Sequence, residues 1–141
     1  MYWLYRCSDD RWLALGGAEH KFADNLLGAL GRPDLAVLCQ LPPGPGQDPV
    51  KVFLADTFAQ RTLAQWMEFL QPLDVCWAPV KTLTEAFDDP HTQARGMVWT
   101  APDGGKHLGI PIRFANEPGR INPHLDGIGE STAAVLAELG L

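Results

Sequence analysis

The stretch "LALGGAEHKF", residues 13–22, places an acid beside an imidazole directly after two glycines. A carboxylate and an imidazole joined by a hydrogen bond can work as a general acid–base pair. Glycines at a strand-to-helix junction can let an anion approach a helix N-terminus. Neither pattern is complete here. Successive helical residues point about 100° apart, so Glu19 and His20 do not read as one hydrogen-bonded dyad. The G-x-G-x-x-G and P-loop patterns are also absent. On pattern alone, Glu19 is a first-turn acid favoured by the helix dipole and His20 is its solvated neighbour. The other histidines stand apart: His91 at a helix start, His107 in a hairpin and His124 in a loose tail. No Ser-centred elbow and no His/Cys cluster with metal spacing occurs, so no metal site is expected. Cys7, Cys39 and Cys76 are odd in number and read as reduced, buried thiols.

The elements that would position these residues follow from local signals. "YWLYRC" and "RWLALG" are β-rich runs joined by Ser8-Asp9-Asp10, a hairpin signal. Tyr2, Trp3, Tyr5 and Trp12 read as an aromatic ladder belonging to the core. Gly16-Gly17 lets the chain bend into a helix carrying Phe22, Leu26, Leu27 and Leu30, which stops at Gly31. The Pro/Gly-rich "CQLPPGPGQDPV" predicts a loop, after which Asp48 caps a helix with Pro49 in its first turn. Thr62 with Gln65, and Thr82 with Glu85, are capping boxes; Asp89-Pro90 opens one more short helix, ended by Gly96. After the first box, Leu63, Trp66, Met67 and Leu70 are expected to face inward, and "DVCWAPV" reads as a buried strand. "MVWT" and "KHLGIPI" flank Pro102-Asp103-Gly104-Gly105, a second hairpin signal. Fifteen residues of loop chemistry follow Phe114, then an amphipathic helix over residues 131–139. The expected class is α+β: a small antiparallel sheet with several short helices, then an extended tail and a C-terminal helix.

Composition narrows the function. The 141 residues are the length of one domain, 46% hydrophobic and 20% charged, enough for a real core. A net charge of −6 without a basic run argues against nucleic acid and against an anionic membrane surface. No apolar run has spanning length, and the opening residues lack the order of a signal peptide. A cytoplasmic protein is therefore expected.

Several segments, in order, resemble the C-terminal part of the CaiB/BaiF family, the class III CoA-transferases, which include α-methylacyl-CoA racemases. "YRCSDDRWLALGGAEHKF" resembles that family's hairpin-and-helix block, and "DVCWAPVKTLTEAFDDPHTQARGM" its downstream block. "IPIRFANEPGRI" and "IGESTAAVLAELGL" resemble its closing phrases, a Pro-x-x-Phe strand and a Gly-Glu-x-Thr helix. The resemblance implies a small α+β domain at residues 1–115. Residues 116–141 would then be a tether and helix that return to a large domain this sequence does not contain. It further implies a homodimeric parent acting on acyl-CoA, with coenzyme A thioester as substrate and no cofactor held by this chain alone. Transferases of the family use an aspartate of the large domain, and racemases a histidine and an aspartate there. None of these residues can be assigned to this sequence. One corner carries over from the racemase branch. Glu19 would orient a catalytic histidine of the other subunit, with Gly16, Gly17 and Ala18 shaping its approach as candidate coenzyme contacts. The competing expectation is a non-catalytic module for binding or self-association.

Overall fold

The computed structural model describes residues 1–124 and 127–141. The chain divides into two compact units, Met1–Lys81 and Thr82–Leu141. It is an α+β protein, as the alternation of hairpin and helix signals predicts.

In the first unit, β1 (Trp3–Arg6) and β2 (Trp12–Leu15) form the expected antiparallel hairpin, with Tyr5 opposite Leu13. Asp10 takes the left-handed conformation that closes the turn, at φ 61°. This turn is tied to a segment far along the chain. The Asp9 carboxylate accepts from the backbone N–H of Leu63, and the Ser8 N–H donates to the Arg61 carbonyl at 3.0 Å. Further strands come from further still: β3 (Trp77–Pro79) pairs antiparallel with β2, placing Ala78 opposite Ala14 and giving the order β1-β2-β3.

Helices cover one face of this sheet. Helix α1 (His20–Ala29) buries Ala23, Leu26 and Leu27 on its apolar stripe and is followed by Gly31 at φ 75°. Helix α2 (Asp48–Phe58) buries Val50, Leu54 and Phe58, and α3 (Leu63–Leu70) buries Leu63, Trp66 and Leu70. These side chains join Tyr5, Leu13 and Leu15 in one core cluster. The Thr62/Gln65 capping box at the start of α3 is formed in both directions.

Two elements here depart from the sequence reading. Residues 33–40 and 45–47 form 3₁₀ helix where no helix was expected, and Pro33 and Pro45 open them with an already suitable φ. The second runs straight into α2, so the backbone is helical before Asp48. Gln47 is therefore the cap residue, and Asp48 lies in the first turn, paired with Lys51 at 3.2 Å. In α3, Met67 remains 38% exposed because residues 63, 66 and 70 complete the inward stripe without it.

In the second unit, α4 (Leu83–Asp88) opens on the Thr82/Glu85 capping box. Helix α5 (Pro90–Ala94) opens on Asp89, whose carboxylate accepts from the N–H groups of His91 and Thr92. Strands β4 (Val98–Thr100) and β5 (Lys106–Leu108) form the second hairpin. β5 stops at Leu108, short of the expected "IPI", because its partner β4 begins only at Val98, after the left-handed turn at Gly96 that follows α5. The described residues of 109–129 form neither helix nor strand, and Leu125 and Asp126 of the expected tail lie outside the described residues. Helix α6 (Thr132–Glu138) then closes the chain, with Val135 and Leu136 exposed.

Gly109 marks the tightest backbone approach of this hairpin. Its N–H donates to the Met97 carbonyl at 2.8 Å, and a Cβ there would lie 3.0 Å from the Met97 carbonyl carbon and 2.5 Å from the Gly96 oxygen. Backbone atoms cannot swing aside as a side-chain end can. Gly109→Ala is therefore expected to break this bond and loosen β4–β5. Amide exchange at residues 98–108 should speed up by ten-fold or more, about 1.4 kcal/mol of lost local protection; unchanged exchange would contradict it.

Candidate functional site

The Gly16–Glu19 corner is held by both of its neighbours. The Gly16 N–H donates to the Cys76 carbonyl at 2.9 Å, continuing the β2–β3 ladder by one bond. A Cβ at Gly16 would lie 2.8 Å from Cys76 Sγ, and one at Gly17 would collide with the end of the buried Met1 side chain. The absence of side chains at both positions thus allows β2 to turn between Met1 and Cys76. The Ala18 N–H then donates to the Gly16 carbonyl at 2.8 Å, a tight turn that leaves Ala18 and Glu19 exposed.

Glu19 is the N-cap residue of α1, one position earlier than the first-turn placement expected from sequence. Its backbone is extended, at φ −85° and ψ 138°, and its side chain makes no capping hydrogen bond. Among the described residues no hydrogen bond joins Glu19 to His20, the first residue of the helix. The carboxylate projects from a fixed corner without being committed to the fold. Helix α1 is itself anchored to the segment entering β3: Lys21 Nζ lies 3.3 Å from Asp74 Oδ2, and Asn25 Nδ2 donates to the Asp74 carbonyl at 2.9 Å.

Next to the corner lies a surface the sequence did not disclose. Strand alternation and the pairing register put Leu4, Arg6, Trp12, Ala14 and Ala78 on the sheet face opposite the core. Of the expected aromatic core ladder only Tyr5 is buried; Tyr2, Trp3 and Trp12 are 70%, 61% and 43% exposed. The expected burial of β3 fails as well: helices cover one face only, so Ala78 and Cys76 face outward as Trp12 does, whereas Trp3 shares the face of Tyr5 and is exposed at the start of β1. Tyr2, Leu4, Trp12, Gly16, Cys76 and Trp77 line an apolar depression of about 790 Å³, within the size range of small-molecule sites. Its Gly16 end lies three residues from Glu19. Hydrophobic type alone could not have located it, because an apolar residue is as compatible with an open face as with a core.

The titratable groups have separate surroundings. Burial pushes the Cys7 thiol above its ordinary range, with the nearby Asp9 carboxylate adding to the effect. Burial likewise raises Cys39. The expectation of three buried thiols holds for Cys7 alone: Cys39 is half-buried and Cys76 exposed. Since the thiolate is the reacting form, a thiol reagent at neutral pH is expected to label Cys76 first and Cys7 only on unfolding. Peptide mapping of the labelled protein over time checks this order, and early labelling of Cys7 would refute it. The histidine rings stay apart. His107 lies against Trp99 with ring centroids 5.4 Å apart, and His91 sits in the first turn of α5. Among the described residues no group of three or more His, Cys, Asp or Glu is placed to hold a metal ion. No described helix is long and apolar enough to cross a membrane.

The site is a fixed corner with one uncommitted carboxylate beside an apolar depression. It can orient or charge-stabilise a group brought to it, and it contains no nucleophile–base pair of its own. The chain is 29% identical over 140 residues to human "Alpha-methylacyl-CoA racemase", covering 99% of this chain and 36% of that protein. Against the mouse racemase the identity is 30% over 143 residues, with the same coverage. The chain thus spans about a third of the length of the curated relatives it matches. Among solved structures, a CaiB/BaiF family protein from Brucella suis superposes with TM-score 0.56 at 24% identity, covering 98% of this chain and 37% of that one. Rv3272 from Mycobacterium tuberculosis superposes with TM-score 0.62 at 18% identity, over 92% of this chain and 37% of that one. These two likenesses speak for the fold alone. The family model described as CoA-transferase family III matches residues 1–132. With nearly its whole length matched, from the β1–β2 hairpin to the start of α6, the chain belongs to CoA-transferase family III.

Proposed function

We propose that the chain is the small domain and C-terminal segment of an acyl-CoA-processing enzyme, a racemase or a CoA-transferase, and that it is catalytically silent by itself. The observation that carries this reading is the asymmetry of coverage: 99% of this chain but 36% of the racemases. In the parent, the nucleophile or proton-transferring groups belong to the remaining two thirds. Glu19 acts there as a positioning residue, presented by the Gly16–Ala18 corner to an active site assembled across a homodimer. The Gly16-Gly17-Ala18 turn, whose Ala18 is exposed, borders the coenzyme thioester, and residues 116–141 return to the large domain. A cytoplasmic location belongs to the same proposal.

The test uses the purified chain and a 2-methylacyl-CoA. Incorporation of solvent deuterium at the α-carbon and transfer of CoA to a carboxylate are both expected to stay at the uncatalysed level. Addition of the separately expressed remainder of the parent should restore one of them. Turnover by the chain alone would overturn the reading. A second reading, self-association without catalysis, is favoured by the open apolar sheet face around Trp12. Sedimentation equilibrium separates the two: a stable dimer abolished by Trp12→Ser would favour self-association, and a monomer the fragment reading.

A further inference from the structure

The second unit carries a cleft of about 520 Å³ whose chemistry differs from that of the sheet face in the first. Its walls are Trp99, Ile110, Ile112 and Phe114, together with Arg113 and Arg120. Among the described lining residues there are two guanidinium groups and no carboxylate. Arg113 is held in place: its guanidinium donates to the Arg95 carbonyl, which fixes one end of the fork and leaves its other N–H groups available. Gly96 is what allows this. It sits at φ 61°, and a Cβ there would collide with Arg113 Nη2. The adjoining wall is closed in the same manner, since a Cβ at Gly119 would lie 3.0 Å from Ile110 Cδ1.

From this arrangement we propose that the cleft binds an amphipathic anion, with a carboxylate or phosphate headgroup on Arg113 and Arg120 and an apolar body against Trp99, Ile110 and Phe114. Charge complementarity selects the headgroup. A planar guanidinium already oriented by a backbone carbonyl loses little freedom when an oxyanion arrives, and its two-pronged geometry matches carboxylate and phosphate. The apolar walls select the body, because a small hydrated anion would leave Trp99, Ile110 and Phe114 unused. This ligand class follows from the lining of the cleft and not from the acyl-CoA reading above, although acyl-CoA thioesters, which carry phosphates and an apolar chain, fall within it.

The test titrates the isotope-labelled chain with dodecyl phosphate, dodecanoate, inorganic phosphate and dodecyltrimethylammonium, each below its aggregation concentration. Saturable shifts are expected at the Trp99 indole and Arg113 side-chain signals with the two anionic amphiphiles. The stronger of the two identifies the headgroup. Arg113→Gln and Arg120→Gln should each weaken binding about ten-fold, the scale of one charged hydrogen bond. Lys51→Gln, in the first unit, should leave binding unchanged. Amide spectra of each variant establish that it folds, and Arg113→Lys, which retains the charge, is expected to recover part of the affinity. Three results would overturn the proposal. These are equal shifts from the cationic amphiphile, equal affinity for inorganic phosphate, and perturbation centred on Trp12 and Trp77 instead of Trp99.

Discussion

Replacing Trp66 by alanine is expected to destabilise the first unit by about 3–5 kcal/mol, the usual cost of emptying a buried aromatic site. Trp66 is 1% exposed and stands at the centre of a run of rings. Phe58 meets it edge-on at 4.9 Å between centroids, Phe69 at 5.6 Å, and Tyr5 in turn packs on Phe58 at 5.2 Å. The Arg61 guanidinium lies 4.8 Å from its ring centroid. Its indole N–H donates to the Phe58 carbonyl at 2.9 Å, at the C-terminal end of α2 where carbonyls lack partners within the helix. Alanine would therefore leave both a cavity and an unsatisfied buried acceptor, the latter costing about 1–3 kcal/mol. Set against the roughly 5–15 kcal/mol by which domains are stable, this is a large fraction. Trp66→Phe, which refills most of the volume but lacks the donor, should fall between the two. Urea midpoints at unchanged m-value measure all three proteins, and a loss below about 1 kcal/mol for Trp66→Ala would show that the ring stack contributes little.

On the proposed function, Glu19→Gln in the full-length protein is expected to lower kcat by about ten-fold or more while leaving the melting temperature nearly unchanged. A carboxylate that orients an imidazole fixes its tautomer and raises its basicity, and an amide of the same shape does neither. The structural cost is small because the Glu19 side chain makes no capping hydrogen bond and is exposed. What remains is its attraction to the helix dipole, about 0.3–1 kcal/mol. The pH profile adds a readout that a structural role would not move: the limb set by the catalytic imidazole should shift to lower pH, since the cation loses its carboxylate partner. Full turnover with an unshifted profile would reduce Glu19 to a helix start.

Much of this could be read without coordinates because it rests on contacts a few residues apart. Thr62 and Gln65, Thr82 and Glu85, and Asp89 with the N–H groups of His91 and Thr92 meet within one helical turn. The β1–β2 turn and the stop of α1 are equally local. Tertiary structure decided the rest. Nothing near Trp12 in the chain states that its face of the sheet is left open, whereas Tyr5, of similar type, is sealed beneath Phe58. Nothing near Gly16 announces Cys76, which becomes its neighbour only when β3 pairs with β2. The Asp9 carboxylate finds the N–H of Leu63 by the same long-range closure, and Arg113 finds the Arg95 carbonyl because Gly96 leaves room for it. A residue's type sets its own backbone preference and its affinity for water. Which surface is then covered depends on partners brought together from distant parts of the chain.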